Sequence, residues 1–372
     1  MRIAVLANLK TNAPTWEGMS PDQWADLDSP RTVEAIIRAL EAGGHEATFL
    51  EASIRPPFSL IERLLEYKPD LCFNIAESHW GDGREAHIPG VLEMLRIPYT
   101  GSKVLALALA LDKPMTKRVL LYHGLPTPEF QVFERVDEPI DDDLLAPDGE
   151  LRFALFVKPS REGTSMGVSA QSIVHTVGEL RAQVARQIAL YNQPILCEHY
   201  IEGREVMVGI IGNLKPTMAR KLNERTLSAD VPEGLTMLPP LEVDLQAFRD
   251  SEADLYTNRL KTELSDECTY LVPAPLDPAL ARELDVLAAA TFRVIGCKDV
   301  ARVDFRLDRH NDNKPYILEI NPLPGLTPNF SDLCYQADAL GWTYEQLINA
   351  IVDAAIARLG LAERQTERAG AG

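Results

Sequence analysis

The segment ARVDFRLDRHNDNKPYILEINPLPG, Ala301 to Gly325, restricts the fold more than any other stretch of the chain. Two runs of alternating apolar and polar residues flank the turn-forming tetrapeptide HNDN, which is the pattern of a β-hairpin. Centring the turn between Asn311 and Asp312 sets a register in which Val303 faces Ile320, Phe305 faces Leu318 and Leu307 faces Tyr316. All three pairs are apolar, as one buried face requires. The opposite face then pairs Arg302 with Asn321 and Asp304 with Glu319. Asp304, Glu319 and Asn321 are oxygen ligands suited to a hard cation such as magnesium, which takes one or two carboxylates and fills its shell with phosphate oxygens and water. Arg302, beside them, can stabilise negative charge developing on a reacting oxygen. The competing reading is a solvated face with a cross-strand ion pair worth under ~1 kcal/mol. Against it, Asn321 runs straight into the loop PLPG instead of an ordinary strand end.

A second stretch, FVKPSREGTSMGVS (Phe156 to Ser169), mixes glycines, cations and hydroxyls in the way of an anion-gripping loop. A P-loop would place its lysine after the glycines at the opening of a helix. Here Lys158 precedes them and the following GVSAQSIV is strand-like. The expectation is a hairpin whose tip folds over a triphosphate, with backbone amides, Thr164 and Ser165 as donors and Lys158 as charge. A plain solvated hairpin is the alternative for this loop taken alone. A phosphate flap and a magnesium-type carboxylate hairpin in one chain point together to a nucleoside triphosphate.

The chain of 372 residues is long enough for two or three packed units. Its net charge of −18 repels nucleic acid and anionic membrane, so an anionic ligand must be held by a local cationic pocket. The longest apolar run, Val104 to Leu111, is far below the ~18 residues that span a bilayer. Five cysteines without a CxxC pair argue against a disulfide framework or zinc site, and the N-terminal apolar run is too short for a signal peptide, so a cytoplasmic location is expected. Strands at Ile3 to Ala7, ATFLEA and DLCFNIA alternate with helices at Pro30 to Ala42 (N-cap Ser29) and LIERLLEY, which indicates a parallel sheet with helices on both faces. Beyond Lys113 a helical stretch, Met115 to His123, leads to the strands FALFVK, GVSAQSIV and PILCEHYI around a helix from Val177 to Tyr191. The strand pair EVMVGIIG and CTYLVPA, helices at Pro278 to Ile295 and near Tyr344 to Leu359, and a disordered tail complete the expectation.

Four stretches in order, IPYTGS with ALDKPMTK, then VKPSREGTSMGVS, EHYIEGREV and RVDFRLD…LEINPLPGLT, resemble the ATP-grasp superfamily and within it the D-alanine–D-alanine ligases. The resemblance implies an α/β ATP-grasp fold with an N-terminal parallel-sheet domain (1–112), a central lid subdomain (113–198), a C-terminal subdomain with the metal site (199–361) and a tail (362–372). It implies that Lys113 and Lys158 contact ATP phosphates, that Glu198 and Tyr200 border the adenine and that Glu205 holds the ribose hydroxyls. Thr164 and Ser165 match flap hydroxyls, and Asp304, Glu319 and Asn321 match the ligands of two magnesium ions, with manganese an admissible substitute. Arg302 and the amide of Gly325 match the groups that stabilise the tetrahedral intermediate. The implied activity joins small-molecule carboxylate and amine substrates through an acyl phosphate, as in peptidoglycan biosynthesis, in a homodimeric cytoplasmic enzyme.

Three departures concern the amino-acid pockets. The family's N-terminal glycine-rich turn, serine and glutamate are replaced by ANLKTNAPTWEGMSPDQW, where Glu17 is the stand-in. The element HGxxGEDG reads ESHWGDGREAHIPG, which makes His79, Arg84, Glu85 and His87 candidates for a rebuilt pocket, against the alternative of solvated loop charges. The ω-loop tyrosine is not evident in NRLKTELSDECTY, where Lys261 remains as a phosphate contact and Glu263 aligns with the tyrosine. Besides D-alanine ligation, the sequence therefore admits a ligase for another amino acid or carboxylate pair in secondary metabolism, or a nucleotide-binding module without turnover.

Overall fold

A computed structural model describes residues 1–55, 59–215, 230–248, 255–262, 264 and 267–362. Glu263 and the tail 363–372 lie outside the described residues; Ala362, expected as the start of the tail, is helical. Strands β1 (Arg2–Ala7), β2 (Glu46–Glu51) and β3 (Leu71–Asn74) form a parallel sheet in the order β2-β1-β3. The unbroken apolar run of β1 is explained by burial on both faces. One face, through Val5, Ile36 and Leu40, shares a core with Leu347, Ile348 and Ile351 of the helix Tyr344–Leu359, so the first and last segments of the chain pack together. The helix Pro30–Ala42 begins where expected, because the Ser29 side chain accepts the Thr32 amide and Pro30 needs no donor partner.

The central sheet is antiparallel in the order β4-β7-β5-β6, from β4 (Phe130–Phe133), β5 (Leu155–Pro159), β6 (Ile173–Val174) and β7 (Ile195–His199). The helix Val177–Tyr191 covers it. The strand expected over GVSAQSIV is mostly absent. Only Ile173 and Val174 pair with β5, while Ala170–Ser172 forms a 3-10 turn in which Ser169 and Ser172 bond each other's backbone. Those serine side chains offer the backbone an alternative to a ladder.

The C-terminal sheet runs β11-β10-β8-β12-β13, from β8 (Gly203–Gly212), β9 (Leu235–Met237), β10 (Leu241–Asp244), β11 (Thr269–Leu271), β12 (Asp299–Asp308) and β13 (Lys314–Asn321), with β9 also on β8. The expected direct pairing of EVMVGIIG with CTYLVPA does not occur, because LEVD of β10 lies between them. The helix Pro278–Ile295 packs through Leu284, Ala288 and Phe292 on Val206, Val303 and Phe305.

The β12–β13 hairpin holds the expected register for Arg302–Asn321, Val303–Ile320 and Asp304–Glu319. Beyond Asp304 the register shifts by one, so that Phe305 pairs with Ile317 and Leu307 with Pro315, in place of Leu318 and Tyr316. The extra residue is a β-bulge, which lets Leu318 leave the core face. Leu318 instead joins Glu319 in lining a cleft.

A buried junction fixes the N-terminal sheet against the C-terminal one. The Asp299 carboxylate, fully buried, takes Arg358 at 2.9 and 2.7 Å, the Asn213 amide at 2.7 Å and the Gly101 amide at 2.8 Å. Arg358 also donates to the Tyr99 carbonyl at 3.0 Å. Removing the guanidinium leaves a buried charge with amides only. Arg358→Ala is therefore expected to lower unfolding free energy by about 3–5 kcal/mol, measured by urea denaturation.

Candidate active site

The helix Lys113–Tyr122 starts at Asp112, whose side chain accepts the Met115 amide at 2.9 Å. Lys113 and Lys117 are four residues apart, so they lie on one face of it. That face points between the central and C-terminal sheets. The Lys113 ammonium stands 3.2 Å from Glu319 and donates to the Glu162 carbonyl at 2.5 Å. Lys117 reaches Glu198 at 2.6 Å and donates to Thr127 at 2.7 Å. Lys158, from β5, meets the other oxygen of Glu198 at 2.6 Å. Burial works to raise the Glu198 carboxyl, but Lys117 and Lys158 outweigh it and hold it below the usual range. Burial in turn pushes Lys117 down to about 8, against the pull of Glu198.

On the hairpin face, Arg302 grips Asp304 with two parallel bonds of 2.7 and 2.8 Å and reaches Asp332 at 3.0 Å. Asn321 donates to Asp304 at 3.1 Å. Burial opposes ionisation of Glu319, yet Lys113, Lys158, Lys261 and Arg302 together hold it far below the carboxylate range. Among the described residues no three His, Cys, Asp or Glu side chains cluster as a complete metal cage. Two carboxylates paired across strands plus an amide make a partial oxygen shell, which fits magnesium because that ion expects phosphate and water to fill the rest.

The loop after β5 is fastened on both sides. Thr164 and Ser165 both adopt left-handed backbone, with φ of 47° and 54°. Asn258 donates to the Thr164 carbonyl at 2.8 Å, and the Ser165 hydroxyl donates to the Tyr256 carbonyl at 2.9 Å. From the N-terminal unit, Asp22 accepts the Gly167 amide at 2.7 Å and Arg84 donates to the Arg161 carbonyl at 2.7 Å.

Two adjoining cavities result. The first lies between the central and C-terminal sheets. It gathers Lys158, Glu198, Tyr200 and Glu205 with Ser165 and Asp304. The second faces the N-terminal unit and is lined by Thr164, Arg302, Asn321, Gly325 and Glu85. Lys113, Lys261, Glu319, Glu162 and Tyr256 border both. Gly325 sits where an added Cβ would come within 2.8 Å of the Ser331 hydroxyl.

Not every candidate converges here. Glu17 and His87 are exposed and line neither cavity. His79 packs edge-on against Trp24 at 5.1 Å, away from both. Arg84 is buried behind the second cavity and bridges Asp26 and Glu162 at 3.0 Å each. Residues that the sequence did not single out also contribute. Arg306 pairs with Glu205 at 3.1 Å, and the backbone carbonyl of Tyr256, just upstream of NRLK, accepts the flap Ser165 hydroxyl while the Tyr256 phenol hydrogen-bonds that of Tyr270. Asp26, Asp28 and Glu77 line the second cavity. A topological signal for them existed, because they follow the carboxyl ends of β1 and β3, where open parallel sheets bind ligands.

A family model described as the C-terminus of D-Ala–D-Ala ligase matches residues 119–353. The D-alanine–D-alanine ligase of Janthinobacterium sp. (strain Marseille) is 33% identical over 337 residues, covering 89% of this chain and 94% of its own. The chain belongs to the D-alanine–D-alanine ligase family. An uncharacterized protein of Sinorhizobium fredii, y4sG, is 34% identical, with 87% of each chain covered. The crystal structure of D-alanine–D-alanine ligase from Bacillus anthracis complexed with ATP superposes with a TM-score of 0.68 at 23% identity, over 98% of this chain and 99% of that one. The fold is accordingly ATP-grasp.

Within this member of the D-alanine–D-alanine ligase family the second cavity has its own electrostatics. Burial raises Glu85 to about 7, opposed by Arg84, and raises Asp28 to about 7 with help from Asp26. Burial, then Glu85 and Asp26, push Glu77 well above its ordinary value. A carboxyl raised on folding binds more protons in the native state, so its contribution to stability declines as pH rises from its unfolded pKa, near 4.5, to about 7. Glu85→Gln is therefore expected to gain stability relative to the parent across that window. Chemical denaturation of both proteins at pH 5 and pH 7.5 measures the difference, and a constant gap contradicts the shift.

Proposed function

We propose that the chain is a magnesium- and ATP-dependent carboxylate–amine ligase that works through an acyl phosphate. The observation that carries this reading is the convergence of Lys113, Lys261 and Glu319 at the seam of two cavities, with Lys158 and Asp304 beside them in the first. A nucleotide fits the first cavity, with Phe156 and Tyr200 as apolar walls, Glu205 for the ribose and the lysines for the phosphates. The acid substrate fits the second, beside Arg302 and Gly325. Its carboxylate oxygen attacks the γ-phosphorus, the bond to the β-phosphate oxygen breaks and ADP leaves. The amine nitrogen then attacks the acyl carbon, the carbon–oxygen bond to phosphate breaks, and the amine's extra proton passes to solvent. Magnesium, held by Asp304, Glu319 and Asn321, supplies neutralisation of phosphate charge when bound. Arg302 and the Gly325 amide lie where charge on the attacked carbonyl develops, and the flap shields the acyl phosphate from water.

D-Alanyl-D-alanine is the product named for the relatives. A different substrate pair is favoured here by one observation, the carboxylates that line the second cavity where Glu17 contributes nothing. A module without turnover is disfavoured by the full Arg302, Asp304, Glu319 and Asn321 set. ATP as cosubstrate fits cytoplasmic residence, and the homodimer implied by the resemblance is read by sedimentation.

Phosphate release from ATP across a panel of D- and L-amino acids and other carboxylates tests the reading. At least one acid–amine pair is expected to stimulate release. Asp304→Asn and Glu319→Gln are each expected to reduce it by about 10²-fold or more while melting temperature stays near that of the parent. Full activity in both variants refutes the metal assignment.

A further inference from the structure

The wall of the second cavity away from the phosphate-facing lysines is acidic. Asp26 and Asp28 reach it from the loop after β1, Glu77 from the segment after β3, and Glu85 from the turn that follows. The side-chain carboxyls of Asp28, Glu77 and Glu85 make no hydrogen bond or ion pair among the described residues. The cations that act on this wall are Arg84, already committed to Asp26, Glu162 and the Arg161 carbonyl, and Lys113, committed to Glu319 and the Glu162 carbonyl.

Acidity alone does not make a site, because carboxylates cluster on solvated surfaces. Asp26 supplies the independent observation. Its side chain is only 6% exposed, and while Oδ2 accepts from Arg84, Oδ1 is sealed from solvent with no hydrogen-bond partner among the described residues. A buried carboxylate oxygen without a donor is unfavourable, and a lining residue in that state wants a donor from the cavity's occupant. The other acidic groups of the cavity are accounted for within the protein: Glu162 by Arg84 and Gln193, Glu319 by Lys113, and Asp332 by Arg302. The carboxyls of Asp28, Glu77 and Glu85 and one oxygen of Asp26 remain for the ligand. Burial favours the protonated form of Asp28, Glu77 and Glu85, and one ammonium, such as that of alanine, pairs with only part of this wall.

We propose that the amine-bearing substrate of this site carries at least two cationic groups, as a diamine or a basic amino acid does. The inference rests on the ligase reading for what happens to that substrate, and on Asp26, Asp28, Glu77 and Glu85 for its recognition. The two ammonium groups divide the four carboxylates between them, and the apolar stem spans the cavity. The carboxylates are specificity-determining residues; the phosphoryl chemistry belongs to the opposite wall.

The test uses matched pairs on the full chain: 1,4-diaminobutane against butylamine, and lysine against norleucine in both enantiomers, titrated calorimetrically. The dications are expected to bind at least ~10-fold tighter than their partners, and Glu77→Gln and Asp28→Asn to erase most of that preference. The exposed helix variant Glu62→Gln leaves it intact. Equal binding within a pair, no binding of either dication, or a preference undiminished in both variants overturns the proposal. Should a variant fail to fold, the matched pairs on the parent decide alone. Phosphate release separates the two readings. Release with D-alanine and none with the dications overturns the inference and leaves the ligase intact. Binding of dications without release for any acid in the panel sustains the site and overturns the ligase.

Discussion

The interlocked charges on the helix Lys113–Tyr122 hold the two halves of the ATP-grasp fold in working relation. The central sheet and the C-terminal sheet keep separate apolar cores, so little hydrophobic surface joins them. What joins them is a run of polar contacts. The Ile317 carbonyl of β13 accepts from Thr127, Thr127 accepts from Lys117, and Lys117 and Lys158 bracket Glu198 of β7. Each ion is buried, and each would be prohibitively costly alone. Their mutual neutralisation keeps a cleft open between two sheets that apolar packing would have closed. A triphosphate can enter such a place because the lysines that face it are held by carboxylates rather than by solvent.

The hairpin Asp299–Asn321 was legible because alternation is a local signal: the residues that face the core and those that face the cleft differ in kind. That signal ran true through Arg302, Val303 and Asp304 and failed at Leu318. A bulge adds one residue without changing composition, and an apolar side chain suits a nucleotide cleft as well as a core. Helix ends were read from chemistry that acts within a few residues, as at Ser29. The loop after β1 was not legible. Trp24 has a left-handed backbone there, and Asp22, Asp26 and Asp28 find their places through Gly167, Arg84 and the sheet edge, all distant in sequence. Arg84 stood out as an added cation in the sequence, but its role is to brace other side chains instead of meeting a substrate.

The two cavities share a border and differ in charge. The first is lined by three lysines and Arg306 against five carboxylates, the second by two lysines and Arg302 against seven. A gradient of this kind orients ligands before any close contact forms. The Arg302, Asp304, Glu319 and Asn321 face comes from β12 and β13, whereas the acidic wall comes from the loops after β1 and β3. Loops of that sort can be rewritten without disturbing the sheet that presents the catalytic groups.

The strap from Arg161 to Gly167 touches Asn258 and Tyr256 on one flank and Asp22 and Arg84 on the other. The strap is thus anchored in the same loops that supply the acidic wall of the second cavity. Since Arg84 also holds Asp26, a visitor that draws on that carboxylate tugs the strap as well. The same few side chains thus brace both chambers at once.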